Sequence, residues 1–492
     1  MSPATLHSLA PAQPHIVIIG GGFTGACVAY HLARALPPDR ARITVIEPRA
    51  SLGQGLAYST SDPVHRTNVP ASRITMDCAC SGQFADWLAA SPEPLTGGAD
   101  LHAGAIFAQR SLVGRYVAES FAPFVAAGRI RHLATKASAV TPVGARYRIT
   151  LAEGPALLAD QLVIATSHPP PAVPPELDGV KDAPQLVCDP SDAARISQVA
   201  KAGGNVLVIG SGLTSADVIA SLDAKGFAGK ITCLSRRGLR SRGHAFGFAP
   251  TAARFAEQPE TTALGLLRRI RRAVRADADA GLPWQAVLDR VRIDGPAIWA
   301  ALPLAERQKL VRKLRIWWDV HRFRIAPQIE AVLDRRIAEG SLTMLAARLD
   351  HAEARANNIH IGWRTRRREG GKPHHDSANF DAVIVTTGPA HGGILGASPV
   401  LRDLADAGLV RCDALKLGLD VANVAQAVGL GGKPSAGLYV AGPLARGHIG
   451  ELMGIPEVTA HAEATAAMVL AAIGQKRDGR TGALDRQLDC SA

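Results

Sequence analysis

The run His15-Ile16-Val17-Ile18-Ile19 leads directly into Gly20-Gly21-Gly22-Phe23-Thr24-Gly25, and this junction constrains the fold more than any other stretch of the chain. Five residues, mostly β-branched and apolar, read as a buried strand. The following run, Ala26 to Leu36, is rich in helix formers and holds no Gly or Pro. The order is therefore strand, tight turn, helix, with Gly20, Gly22 and Gly25 spaced as G-x-G-x-x-G. Gly20 permits the turn, Gly22 lets a pyrophosphate approach the backbone, and Gly25 lets helix and strand pack closely. The helix start offers unpaired N–H groups and the positive end of its dipole to phosphate. Gly21, Phe23 and Thr24 border the same expected cofactor site.

A second strand, Ile43-Thr44-Val45-Ile46, ends in Glu47, which lies 22 positions after Gly25. That is close to the roughly 20 expected for an acid binding ribose hydroxyls. A second landmark repeats the pattern. Asn205-Val206-Leu207-Val208-Ile209 runs into Gly210-Ser211-Gly212-Leu213-Thr214-Ser215, with Ser215 as the third small residue. The next strand, Lys230 to Leu234, ends in Ser235-Arg236-Arg237 and carries no acid. A carboxylate suits two free ribose hydroxyls, whereas guanidinium groups suit a 2′-phosphate. The first site therefore reads as an FAD site (Gly20, Gly21, Gly22, Phe23, Thr24, Gly25, Glu47). The second reads as an NADP site with NAD usable (Gly210, Gly212, Thr214, Ser215, Arg236, Arg237). Solvated surface charge is the plainer account of the two arginines.

With 492 residues the chain is long enough for two or three domains. No apolar run reaches the roughly 18 residues needed to cross a membrane, and residues 1–14 lack the basic and apolar regions of a signal peptide. A cytoplasmic location is expected. Seven scattered cysteines include no Cys-x-x-Cys, so they read as reduced thiols, and no metal site is expected. The net charge of +12 reads as a basic surface. With aromatics at only 4%, nucleic acid is not expected as a partner.

Further along, Gly53 to Tyr58 is a glycine-punctuated loop placed to cross the dinucleotide, and Asn68-Val69-Pro70 is an extended turn. Phe107 to Ala127 reads as a helix and Ala139 to Leu151 as paired strands. Residues 250–340 are largely helical, with expected helices Leu264 to Ala280, Leu302 to Trp318 and Pro327 to Glu339. The first carries the basic amphipathic run Leu267 to Arg275, which reads as a solvated face or a membrane or partner contact. Trp317 to Arg324 concentrates aromatics and cations and reads either as a core anchor or as a lid over substrate or nicotinamide. Gly340 to Gly362 reads as short strands and Arg364 to Asp376 as a hairpin tip or loop. Asp381 to Gly388 is a buried strand ending Thr-Gly, Ala436 to Pro443 is another, and a helix spans about Pro456 to Ile473. The polar tail 474–492 reads as disordered.

In this order the pieces resemble the bacterial FAD/NAD(P)-binding protein family, a relative of the two-dinucleotide flavoprotein monooxygenases, some of whose members are assigned as FAD-dependent urate hydroxylases. The carriers are Gly20–Gly25 with Glu47, Gly53–Tyr58, Asn68-Val69-Pro70, Gly210–Ser215, Trp318–Pro327, Thr387-Gly388, and Leu438–Gly447 with Pro456-Glu457. The resemblance implies that Gly442 and the segment after it approach the isoalloxazine. Two departures stand out: Gly442-Pro443 replaces the common Gly-Asp, and Thr386-Thr387-Gly388-Pro389 replaces the Ala-Thr-Gly-Tyr of N-hydroxylases.

The expected fold is α/β, with two Rossmann-like domains and a helical subdomain. An NADPH domain (172–375, helical subdomain 250–340) is inserted into an FAD domain (15–171 and 376–473), between an N-terminal extension (1–14) and the tail. The expected activity is an NAD(P)H-using monooxygenase that transfers oxygen from O₂, through a flavin C4a-hydroperoxide, to a small substrate such as an amine or a urate-like heterocycle. The alternatives are a flavin reductase or oxidase, and a non-enzymatic flavin-binding redox sensor. No catalytic base is assigned. His168, His244 and His448 are candidates that read more simply as structural residues, and the oligomeric state is unassigned.

Overall fold

The computed structural model describes residues 13–91, 99–167, 169, 171–365, 374–388 and 393–478. Residues 1–12, His168, the segment 366–373, Pro389 and the tail from 479 with Cys490, on each of which an expectation fell, lie outside the described residues.

Two seven-stranded sheets organise the chain. The first runs in the order Val421–Ala422, Gln426–Val428, Pro434–Val440, Gln161–Ile164, His15–Ile19, Arg42–Ile46 and Arg131–Leu133. Its last five strands are parallel, and Ile18 pairs with both Val45 and Val163. A parallel strand is covered on both faces, which requires an uninterrupted apolar run. Ile16, Val17 and Ile18 are fully buried. The second sheet runs Leu186–Val187, Ala382–Val385, Asn205–Ile209, Lys230–Ser235, Leu342–Ala354, Ile359–Thr365 and His374–Phe380, again with five parallel strands before an antiparallel pair. The α/β class and the repeated strand–turn–helix unit are thus as expected.

Helix Phe23–Ala35 follows the first strand and packs against the last helix, Ile455–Asp478. The paired strands expected over 139–151 are Ala137–Val143 and Arg146–Leu151, joined by Leu157–Ala159 in a small antiparallel sheet. The Tyr147 hydroxyl fastens that sheet to the first by donating to the Ala436 carbonyl at 2.6 Å.

Several boundaries differ from expectation. Strand Ala382–Val385, expected to open the C-terminal return, pairs in the second sheet beside Asn205–Ile209. Its register is set by the Asp381 carboxylate, which accepts the Asn205 N–H at 2.7 Å. The division at 375/376 therefore cuts through that sheet: an apolar strand announces its burial but not its neighbour. Helix Arg110–Ala126 begins three residues after Phe107, which sits fully buried on strand Ala105–Ala108. Leu302 to Trp318 is not one helix. After Pro303 it runs Leu304–Lys309, widens to a π turn over Leu310–Leu314, and resumes as Arg315–Arg322. A 3.6-residue pattern does not reveal one extra residue in a turn. Gly340 to Gly362 holds a 13-residue strand instead of short ones. The last helix continues to Asp478, so residues 474–478, expected in a disordered tail, are helical; Gln and Lys are good helix formers.

Several contacts join the two sheets. The Ala172 N–H donates to the Gly388 carbonyl at 3.0 Å, so the two crossing segments lie side by side. Elsewhere Arg110 pairs with Asp217 at 2.8 Å, and His65 shares a hydrogen bond with Ser221 at 3.1 Å.

A Cβ built on Gly25 would lie 1.9 Å from the Gly20 carbonyl oxygen, a contact no real side chain makes. Gly25→Ala is expected to destabilise the protein by about 1–3 kcal/mol, as overpacking does. Urea unfolding checks this, and an unchanged midpoint would show that the turn relaxes freely.

Candidate dinucleotide-binding sites

The carboxyl ends of four parallel strands meet at one edge of the first sheet. Gly20 follows His15–Ile19, Glu47 follows Arg42–Ile46, Ala165-Thr166 follows Gln161–Ile164, and Gly442 lies two residues beyond Pro434–Val440. In open α/β sheets this is the end that holds ligands. Gly20 has φ +99°, and a Cβ there would come within 2.5 Å of the Ala165 carbonyl. The neighbourhood of Gly22 is different: its nearest constraint is the Gly55 backbone at 3.3 Å. The Gly53–Tyr58 segment, expected as a loop but helical over Gly55–Tyr58, thus folds over the glycine turn, with the Gly53 N–H donating to the Gly21 carbonyl at 2.7 Å.

Helix Phe23–Ala35 has no side-chain cap at Gly22 and no acid in its first turn. Its first N–H groups and its dipole are therefore free of a competing carboxylate. Glu47 is 4% exposed. Its carboxylate accepts from the Gly21 N–H at 3.0 Å, the Arg49 N–H at 3.1 Å and the Arg49 guanidinium at 3.0 Å. A carboxylate offers about four lone-pair positions, so these bonds leave room for another donor. The Thr166 hydroxyl is buried at the same strand end without a partner among the described residues. An uncapped helix start, a backbone-only slot and an orphaned hydroxyl together fit the adenosine–pyrophosphate part of a dinucleotide.

Gly442, φ +78°, sits against Thr24: a Cβ on it would lie 2.6 Å from the Thr24 hydroxyl oxygen. Its N–H donates to His461 Nδ1 at 3.0 Å, and His461 Nε2 bonds the Val424 carbonyl at 3.0 Å. Nε2 therefore carries the proton and Nδ1 stays bare. Burial pushes the His461 pKa down to about 4. Sequence reasoning missed this residue; its one signal is a histidine among the small residues of the last helix. Pro443 occupies the first turn of a short 3₁₀ segment, where its missing N–H costs nothing.

The second cradle repeats the first. Gly210 has φ +115°, and a Cβ there would meet the Thr386 carbonyl at 2.5 Å. Gly212 has nothing within 4 Å of its Cβ position. Helix Leu213–Ala224 has no side-chain acceptor at its start; Ser215 is buried and donates to the Gly212 carbonyl at 2.7 Å, while Thr214 is exposed. At the end of Lys230–Ser235, Ser235 Oγ accepts the Gly238 N–H at 3.0 Å and turns the chain. Arg236 and Arg237 project from that turn, both exposed, and the Arg237 guanidinium lies over the Trp317 ring at 5.8 Å.

The aromatic–cationic stretch acts as an anchor. Trp318 Nε1 donates to Glu451 at 3.1 Å, Arg322 pairs with Glu451 at 3.3 Å and Glu457 at 3.2 Å, and Trp299 Nε1 donates to the Gly447 carbonyl at 3.1 Å. The helical region thus docks on the segment that follows Gly442. Burial raises the Glu451 carboxyl, and Arg322 opposes that shift. Of the candidate histidines, His244 lies between the two units, its ring 4.9 Å from Phe107 and its Nε2 3.2 Å from the Asn68 carbonyl. Burial pushes its pKa down to about 4, so it is neutral at pH 7. His448 is exposed. A cavity of about 580 Å³ lined by His15, Arg42, Arg129, Arg131 and Arg146 opens at the opposite ends of the first sheet's strands. The glycine turns, not that cavity, locate the cofactor chemistry.

Residues 17–169 match the sequence model of the FAD-NAD(P)-binding family. Comparison with curated protein sequences finds no match. Among solved structures, the chain is similar to the ornithine hydroxylase PvdA of Pseudomonas aeruginosa, at 13% identity and TM-score 0.62, over 94% of this chain and 100% of that one. It is also similar to the ornithine N-hydroxylase KtzI of Kutzneria sp. 744, at 13% and 0.60, over 95% and 100%. A third is the L-lysine 6-monooxygenase of Pseudomonas syringae, at 16% and 0.60, over 94% and 99%. These likenesses establish a shared fold, and the family match over residues 17–169 falls on the first glycine turn and Glu47. Among the described residues no helix is long and apolar enough to cross a membrane, and no group of three or more His, Cys, Asp or Glu could hold a metal ion.

The buried histidines carry a pH signature. His461 and His244 sit near 4 when folded, against about 6.5 unfolded, so the unfolded chain binds more protons between those values. Stability is expected to be full above about pH 6.5 and to fall as pH drops toward 4. His461→Gln keeps an acceptor for the Gly442 N–H but does not titrate. Urea midpoints measured from pH 7 to pH 4 should fall less in this variant than in the wild type.

Proposed function

We propose that the protein is an FAD-dependent oxidoreductase that uses NADPH and O₂ to hydroxylate a small molecule, an amine before a urate-like heterocycle. One contrast carries the reading: two strand–glycine–helix cradles in one chain, one closed by the buried Glu47 carboxylate and the other by exposed Arg236 and Arg237 with no acid. Support comes from the FAD-NAD(P)-binding family match and from a fold shared with ornithine and lysine hydroxylases, whose amine substrates favour an amine here.

In this reading the sheet containing His15–Ile19 belongs to the FAD unit and the sheet containing Asn205–Ile209 to the NADPH unit. Gly20, Gly22 and Gly25 admit the FAD pyrophosphate, Gly21, Phe23 and Thr24 line its path, and Glu47 takes the ribose. His461 holds the Gly442 N–H from behind, fixing the backbone beside the flavin ring. Gly210, Gly212, Thr214 and Ser215 receive the NADPH pyrophosphate, and Arg236 and Arg237 take its 2′-phosphate. Bound flavin supplies hydride acceptance and oxygen activation. The chain's own part is orientation and exclusion of water: Trp299, Trp318 and Arg322 clamp the segment from Gly447 to Glu457 and keep solvent from that side.

Purified protein should be yellow. Gly22→Val, which places a branched side chain in the pyrophosphate slot, should lose flavin while remaining folded by circular dichroism. Glu47→Ala should weaken FAD by about 1.5–3 kcal/mol, read by flavin titration. NADPH should exceed NADH by about one to two orders of magnitude in kcat/KM, or roughly 1.4–2.8 kcal/mol. The double variant Arg236→Ala/Arg237→Ala should abolish that preference. The deciding assay is NADPH-dependent O₂ uptake over a panel of amines and purines with product analysis; uptake yielding only peroxide on every compound would overturn hydroxylation.

A further inference from the structure

Trp317 and Trp318 are adjacent in sequence and serve different units. Trp318 packs on the helical-region core that contains Phe255, Val287 and Leu302, and donates its ring N–H to Glu451. Trp317 is 44% exposed, and its ring carries the Arg237 guanidinium. An exposed tryptophan whose face is covered by a cation at a strand end is not accounted for by core packing. The π turn Leu310–Leu314 lies immediately before these residues. Such turns recur at functional positions.

We propose that Trp317 is a positioning residue for recognition of the 2′-phosphate: it holds Arg237 in place before NADPH arrives. The inference rests on the NADPH reading above. Its physical basis is the geometry of arginine. All five N–H donors lie in the guanidinium plane, so stacking on a ring uses the face and leaves every donor edge free for phosphate. A carboxylate partner would occupy those edges and repel the ligand. The ring restrains a long, flexible side chain without competing for its hydrogen bonds. Trp318 bonded to Glu451, and Arg322 bonded to Glu451 and Glu457, fix the helix that presents the ring. Trp317 thereby has a fixed place relative to both units. Arg236 has no such support and is expected to close on the phosphate after binding.

The test uses the full chain and two fragments as probes, 2′,5′-ADP and 5′-AMP, titrated by calorimetry. Wild type should bind 2′,5′-ADP at least about tenfold more tightly, as a bidentate phosphate contact implies. Trp317→Leu should weaken 2′,5′-ADP by about two- to fivefold, the range of an exposed cation–π contact, and leave 5′-AMP unchanged. Trp317→Phe, which keeps a ring face, should recover most of the loss. In turnover, Trp317→Leu should raise KM for NADPH with kcat unchanged and leave NADH unaffected. An unchanged 2′,5′-ADP affinity in Trp317→Leu overturns the inference, as does equal weakening of both probes, which marks a merely structural role. A wild type that does not distinguish the probes removes the NADPH reading and this inference with it.

Discussion

The first unit depends on one close approach, that of the helix starting at Phe23 to the strand that feeds it. The Gly25 Cα faces the Gly20 carbonyl so closely that the space for a Cβ does not exist. That contact aims the helix start at the carboxyl ends of the strands. It also sets where Gly21 and Gly22 lie, and the Gly21 N–H then finds Glu47. Glu47 is both the close of the cradle and part of its wall. The helix N–H groups left without a side-chain acceptor are the complement of an anion, so the constraint that packs the unit also prepares its chemistry.

The second cradle repeats the strand–turn–helix order but differs at three of its six turn residues, with Ser211, Leu213 and Ser215 in place of Gly21, Phe23 and Gly25. Ser215 stands where the first has Gly25, and its hydroxyl turns back on the Gly212 carbonyl. The slot at Gly212 stays open. The chemical difference between the two lies at the ends of the neighbouring strands, in a buried, triply bonded carboxylate on one side and two exposed guanidinium groups on the other.

The helical region touches both cradles. Its tryptophans and arginines fasten the segment after Gly442, and one tryptophan reaches the arginine turn of the other unit. The ion pair Arg110–Asp217, with Asp217 buried and Arg110 partly exposed, and the paired crossing segments at Ala172 and Gly388 bring the two sheets together independently of that bridge.

Local chemistry made much of this legible. The apolar runs before Gly20 and Gly210 are strands because they are uniformly branched and apolar. Gly20 and Gly210 mark turns because their positive φ angles favour glycine. Glu47, Arg236 and Arg237 could be placed at strand ends by counting. These are properties of a few consecutive residues, and consecutive residues are what a sequence displays. Other features depend on residues far apart in the chain. Strand Ala382–Val385 has the same apolar character whichever sheet it joins, and only its pairing with Asn205–Ile209 decides. His461 matters because Gly442, nineteen positions earlier, presents an N–H to it. Trp317 and Trp318 read alike until the π turn and the packing of two units give one to Arg237 and the other to Glu451. The local turn and strand chemistry was determined by sequence; partner choice was decided by the tertiary structure, because it depends on which distant groups compete for the same buried contact.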